Sequence, residues 1–208
     1  MSRNTPKYKI IFQTKSNVWG KYNNENKFNK KKWGKFLKYL DFKKTNFFLR
    51  KPKSLKVLYK QRLLNKQKFK SFYGNITYNK LKTIYNEIKT KNSFNIVENL
   101  IIRLESRLDI FLYRSGLFPS IFEAKQWVNH KKIKVNKTIV NNNNYVLKSG
   151  DFIEIPTNLK YKKIMLLPYS HIDNNLPILV FLRKPRINEI KYPFKFNSNF
   201  LFEYLNKN

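Results

Sequence analysis

A net charge of +32 on 208 residues, from 44 Lys+Arg against 12 Asp+Glu, far exceeds what an isolated soluble domain tolerates and calls for a polyanionic partner. With 41% hydrophobic and 16% aromatic residues the chain is too apolar for a disordered basic tail, so it should fold. Cysteine is absent and only His130 and His171 could offer imidazoles, which argues against disulfides, thiolate-held zinc and any other metal site. The longest apolar runs, Ile164–Leu167 and Ile178–Leu182, fall far short of the roughly 20 residues that span a bilayer, and no secretory apolar stretch follows Met1.

The charge is uneven. Residues 1–98 hold 26 basic and 4 acidic residues, a net of +22, whereas residues 99–155 carry only +4 and residues 156–208 carry +6. Asn, Lys, Ile, Phe and Tyr dominate, and Ala124 is the single alanine. These favoured residues share AT-rich codons, a mark of gene composition rather than of fold.

In chain order, residues 1–50 show no steady period. They mix Asn and Lys with Trp19, Tyr22, Phe28, Trp33 and Phe36, and read either as a loop disordered in isolation or as an extended basic segment that folds on RNA, its aromatics stacking on bases or packing into a neighbour. After Pro52 a helix is predicted from Ser54, as N-cap, to Phe72, with Leu55, Leu58, Tyr59, Leu63 and Phe69 inward and Gly74 as its stop. Ile76 to Lys89 repeats Leu81, Ile84, Tyr85 and Ile88 on one stripe and predicts a second helix.

Ile96 to Tyr113 predicts a single helix with Leu100, Leu104, Leu108, Phe111 and Leu112 inward, ended by Gly116. Ser120 and Glu123 form a capping-box pair that opens a helix over 121–129, with Phe122, Trp127 and Val128 facing the core and Lys125 and Gln126 outward. The period then switches from 3.6 to 2. Ile133–Val135 and Ile139–Val140 flank an Asn136-Lys137 turn, four Asn lead to Tyr145–Leu147, and Phe152–Ile155 is the last strand after the turn at Lys148–Asp151.

The blocks Leu104–Asp109, Tyr113–Gly116, Glu123–Gln126, Val135-Asn136 and Lys148–Asp151, in that order, resemble the RNA-binding module named after the small-subunit ribosomal protein S-four. The flanks single out the S-four family itself: Lys66–Lys68, Phe72–Gly74, Phe181–Pro185, Phe196–Lys207 and, more loosely, Pro6–Ile10 are similar to its elements. The chain departs from the family pattern at Ile121, where a basic residue is common, at Lys137, where Gly is usual, and at the Asn141–Asn144 loop; the zinc-binding Cys of some members are missing.

The resemblance implies an α+β fold in four parts. These are an extended basic segment (1–50), a helical domain (51–95), an inserted helix-turn-helix module with a small antiparallel sheet (96–157), and C-terminal strands and a helix returning to the helical domain (158–208). It implies a non-enzymatic structural constituent of the small ribosomal subunit that binds rRNA at a multi-helix junction and touches neighbouring ribosomal proteins near the side where mRNA enters. It implies no cofactor, membrane contact or homo-oligomer. By analogy with the module, the RNA contacts are Arg107, Arg114, Ser120, Lys125, Gln126, His130, Lys131, Lys132, Lys134 and Asn136, with Asp109 either orienting Arg107 or capping locally. Lys60, Lys66, Lys68 and Lys70 form a second basic patch.

The codon-like bias, and a start similar to the family's own that leaves no room for a presequence, favour a mitochondrial gene product, with a chloroplast or bacterial cytoplasm as alternatives. A free RNA-binding factor of heat-shock type is the competing reading. A pseudouridine synthase would need a catalytic Asp, and none of Asp41, Asp109, Asp151 and Asp173 lies in such a motif.

Overall fold

The computed structural model describes residues 7–14, 16–19, 34, 55–91, 95–155, 167–172 and 178–206. The expected Ser54 cap and the aromatics Tyr22, Phe28, Trp33 and Phe36 lie outside these residues. The chain divides into two compact units, Met1–Thr77 with Tyr192–Asn208, and Tyr78–Lys191. The boundaries expected at 50, 95 and 157 do not coincide with this division.

The first unit contains α1 (Lys7–Thr14), α2 (Leu55–Phe72) and the last helix, α7 (Ser198–Asn206). α1 corrects the expectation of a wholly extended N-terminal segment: Ile10, Ile11 and Thr14 are buried, spaced for one helical face. Trp19 is also buried, so of the named aromatics it packs rather than offering a stacking face.

The inward face of α2 differs from the predicted stripe. Tyr59 and Leu63 are exposed, and burial shifts toward the helix's C-terminal half, at Asn65, Phe69 and Phe72. The reason is the aromatic content of the returning segment. Phe69 stacks on Phe196 at 5.0 Å between centroids, and Phe72 meets Tyr192 and Phe194 edge-on at 5.2 and 5.8 Å. Such pairs add about 0.5–1.5 kcal/mol each beyond area burial. The Tyr73 and Tyr192 hydroxyls share a hydrogen bond of 2.6 Å, which satisfies the polar tips of this cluster. Asn65 bridges to α7 by donating from Nδ2 to the Asn197 carbonyl at 2.9 Å and accepting from the Asn197 N–H at 3.2 Å.

The second unit contains α3 (Tyr78–Lys89), α4 (Ile96–Glu105), α5 (Leu108–Arg114), α6 (Ile121–Asn129) and a five-stranded antiparallel sheet. Its strands are β1 (Lys134–Val135), β2 (Thr138–Ile139), β3 (Asp151–Glu154), β4 (Ser170–Ile172) and β5 (Ile178–Phe181), in the order β2-β1-β3-β5-β4. Val135 pairs with Ile153 and Ile153 with Leu179, so one row of apolar side chains crosses three strands. With Phe111, Ala124, Val128 and Phe181 that row forms the core.

β4 and β5 therefore extend the module's sheet. The expectation that all of 158–208 returns to the helical part is corrected: among the described residues, only those from Tyr192 onward do so. A second correction concerns the helix predicted over 96–113. It is broken, because Arg107 is extended, with φ −73° and ψ 140°. No Gly or Pro causes the break. Ser106 Oγ donates back to the Ile102 carbonyl at 2.8 Å, a bond that loosens a helix end. Around the break, the Leu108 N–H donates to the Tyr145 carbonyl and the Leu147 N–H to that of Ser106. Tertiary pairing thus replaces a helical turn.

α6 begins as expected, with Ser120 Oγ accepting from the Glu123 N–H at 3.2 Å. Its buried stripe, however, is Ile121, Ala124 and Val128, while Phe122 and Trp127 are only half-buried. The pattern i, i+3, i+7 fixes this face, and the small Ala124 lets the helix approach the core.

Candidate RNA-binding site

The residues expected to touch RNA separate by environment. Arg107 is buried by the helix break and forms a forked pair with Asp109, Nε to Oδ1 at 3.2 Å and Nη2 to Oδ2 at 2.6 Å. The Ile110 N–H also donates to Asp109 Oδ1. Lys125 reaches in from α6, its Nζ 3.9 Å from Asp109 Oδ2. Burial pushes the Asp109 carboxyl up against the opposing pull of Arg107 and Lys125, and burial likewise lowers Lys125. Two cations thus share one carboxylate in a dry place. Asp109 does orient Arg107, as anticipated.

Arg114 is held in the same manner. Its Nε and Nη2 donate to Glu105 at 3.0 and 2.7 Å, and Nη1 donates to the Lys191 carbonyl at 2.7 Å. Glu105 is fully buried. This clamp ties α4 and α5 to each other and to the segment just after the 3-10 turn at Ile187–Glu189. Ser120 is occupied as a helix cap. The carboxamide of Asn136 is engaged on both sides, Nδ2 donating to Asp151 Oδ1 at 2.9 Å and Oδ1 accepting from the Phe152 N–H at 3.1 Å.

The other candidates share an exposed rim. Gln126 and His130 project from the end of α6, followed by Lys131 and Lys132, and Lys134 lies on β1. Lys132 Nζ sits 4.8 Å from the Trp127 ring centroid, a cation–π contact made by an otherwise exposed residue. Lys134 is half exposed and 3.7 Å from Glu154. Among the described residues no ion pair engages Lys131.

Backbone geometry marks this rim. Lys131 follows α6 with φ +59°, and Asn136 and Lys137 form the β1–β2 turn with φ +51° and +65°. A two-residue hairpin with both central φ positive suits Asn followed by Gly. Lysine at 131 and 137 holds a conformation that costs about 1–2 kcal/mol for an L-residue. The Asn136 hydrogen bonds fix the first half of the turn, and Lys137 is carried outward.

Sequence reasoning missed three members of this region. Lys137 and Lys148 are exposed on neighbouring turns. Asp151 ties those turns together by accepting from Asn136 Nδ2 and, at 2.8 Å, from the Lys148 N–H. Two lysines in turn positions were a usable signal; the organising role of Asp151 needed the register.

The α2 lysines do not form one face. Lys66 and Lys70 are four residues apart, whereas Lys60 and Lys68 point elsewhere on the helix. Lys66 Nζ lies 3.7 Å from the Tyr204 ring centroid. Lys60 is exposed, Lys68 half-buried, and Lys70 lines a cavity in the first unit.

Comparison with known proteins fits this geometry. The family model described as the S4 domain matches residues 106–153, from the helix break to β3. The chain is 35% identical over 164 residues to the small ribosomal subunit protein uS4m of Reclinomonas americana, covering 70% of this chain and 65% of that relative, just under two thirds of its length. It is 38% identical over 157 residues to the uS4 of Orientia tsutsugamushi, covering 70% and 75%. To the uS4 of Sinorhizobium fredii it is 30% identical over 215 residues, covering 99% and 98%. An S4 domain at the expected place and similarity reaching almost end to end make the conclusion plain: this chain belongs to the uS4 family of small ribosomal subunit proteins.

Proposed function

We propose that this chain is a non-enzymatic structural constituent of a small ribosomal subunit that binds small-subunit rRNA directly at a multi-helix junction and supports assembly. The observation that carries the reading is the exposed rim of Gln126, His130, Lys131, Lys132, Lys134 and Lys137, set on a scaffold whose own charges are paired internally. Side chains reach poorly into the deep groove of A-form RNA, so phosphate and 2′-OH contacts dominate. A rim of lysines on a rigid sheet and helix end matches that task. Buried Arg107 supports the rim through Asp109 and Lys125, while half-buried Arg114 is committed to Glu105 and the Lys191 carbonyl.

The family relationship, together with the net charge of +32, supports neighbouring ribosomal proteins and mRNA on the entrance side as further contacts. A mitochondrial subunit is favoured by the AT-rich residue usage and by the likeness to a uS4m. The test is co-sedimentation with the small subunit through salt washes. A subunit protein stays; a free factor of heat-shock type comes off.

A further inference from the structure

The first unit contains a cavity of about 310 Å³ between α1 and the end of α2. Gln13 and Thr14 line it from α1, Gln67, Lys70 and Ser71 from α2, and Asn75 from the loop beyond. Ile10 supplies an apolar wall. Among the described lining residues the charged group is the Lys70 ammonium, which draws an anion. Three carboxamides and two hydroxyls offer donors and acceptors together, the set that the edge of a nucleobase requires. The volume lies at the small end of ligand sites and admits one nucleotide but no duplex.

The wall is set before any ligand arrives. Gly74 and Asn75 take left-handed conformations, φ +68° and +58°, and close the end of α2. The Gly74 N–H donates to the Ser71 carbonyl and the Ile76 N–H to that of Lys70, so the loop is fixed by its own backbone. Thr14 Oγ1 donates to the Ile10 carbonyl at 2.8 Å, which leaves the oxygen's lone pairs to accept. Lys70 is held below the ordinary lysine range, first by burial and then by the Lys66 ammonium one turn away. The negative charge of a phosphate there would offset both influences.

We propose that this cavity receives a single unstacked ribonucleotide, its phosphate on Lys70 and its base edge against Gln13, Gln67 and Asn75. The inference rests on the RNA-binding reading given above and deepens it, because it adds a capture site for a bulged or loop nucleotide in the unit that lacks the S4 domain.

The test uses the purified full chain with the four nucleoside 5′-monophosphates and inorganic phosphate, followed by calorimetry and NMR. Saturable nucleotide binding is expected, weakened about tenfold by Lys70→Gln, the loss of one charge-assisted contact. Gln13→Leu, at an exposed and therefore fold-sparing position, should weaken it as well. Thermal midpoints report folding for both variants. Absence of saturable binding, equal binding by inorganic phosphate, or indifference to both substitutions overturns the proposal. If rRNA binding persists with its full salt dependence in any of those cases, only the pocket is lost. If rRNA binding itself is absent, the broader reading fails first.

Discussion

The α4–α5 elbow and the rim at the end of α6 both carry basic residues singled out by sequence, yet they use them oppositely. At the elbow, Arg107 is buried and Arg114 half-buried, and each is forked onto a buried carboxylate. At the rim, Lys131, Lys132 and Lys137 are exposed, two of them in left-handed backbone. The difference teaches that a basic motif in a binding module can serve the scaffold. Guanidinium groups suit buried bidentate pairing, whereas lysine stems carry charge out to a flexible polyanion.

The largest effect should come from breaking the elbow. Arg107→Ala leaves Asp109 buried and uncompensated and should cost about 3–5 kcal/mol, read by chemical denaturation. Arg114→Ala strands Glu105 in a slightly more open setting and should cost about 2–3 kcal/mol. An effect of either on RNA affinity, with stability unchanged, would break the comparison from the elbow side.

Smaller effects sharpen it. Ser120→Ala removes the α6 cap and should cost about 1 kcal/mol, displacing the rim with little direct loss of contact. Lys137→Gly should stabilise the fold by about 0.5–1 kcal/mol by relieving the left-handed turn, yet weaken RNA binding through the lost charge. Opposite signs for stability and affinity at one residue are what a strained binding position predicts.

The smallest effect is acid sensitivity at Glu189. Arg183 donates to it at 2.6 and 3.0 Å and Arg186 N–H at 2.8 Å, and these bonds hold its carboxyl at about 2, below its ordinary 4.5. A depressed carboxylate stabilises the fold above its unfolded value and loses that contribution as pH falls from about 4.5 toward 2. Both partners are partly exposed, so solvent screens the pair and the change should be slight. Comparing Glu189→Gln with the unaltered chain in an acid titration isolates it.

Much of the central unit was legible in the sequence because its signals are local. The Ser120 cap, the stripe from Leu100 to Leu112 and the Asn136-Lys137 turn each follow from residue type and spacing. The break at Arg107 was not legible. It has no Gly or Pro and arises from pairing with Tyr145–Leu147, some 40 residues away in sequence, and from a carboxylate two residues on. For the same reason the internal pairing of Arg107 and Arg114 was not legible: composition shows a basic side chain but not the buried carboxylate waiting for it. The α2 face was misjudged because its partner, Tyr192–Phe196, lies over a hundred residues downstream.

The most direct measurement is the salt dependence of rRNA binding by the full chain and by its Lys131→Gln, Lys132→Gln, Lys137→Gln triple variant. Each phosphate contact contributes roughly 0.7–0.9 to the slope of log affinity against log salt. A slope shallower by about 2–3 at unchanged thermal stability is predicted if the rim holds the RNA. An unchanged slope in this variant would contradict the account and return the contacts to the elbow or to the N-terminal half of the chain.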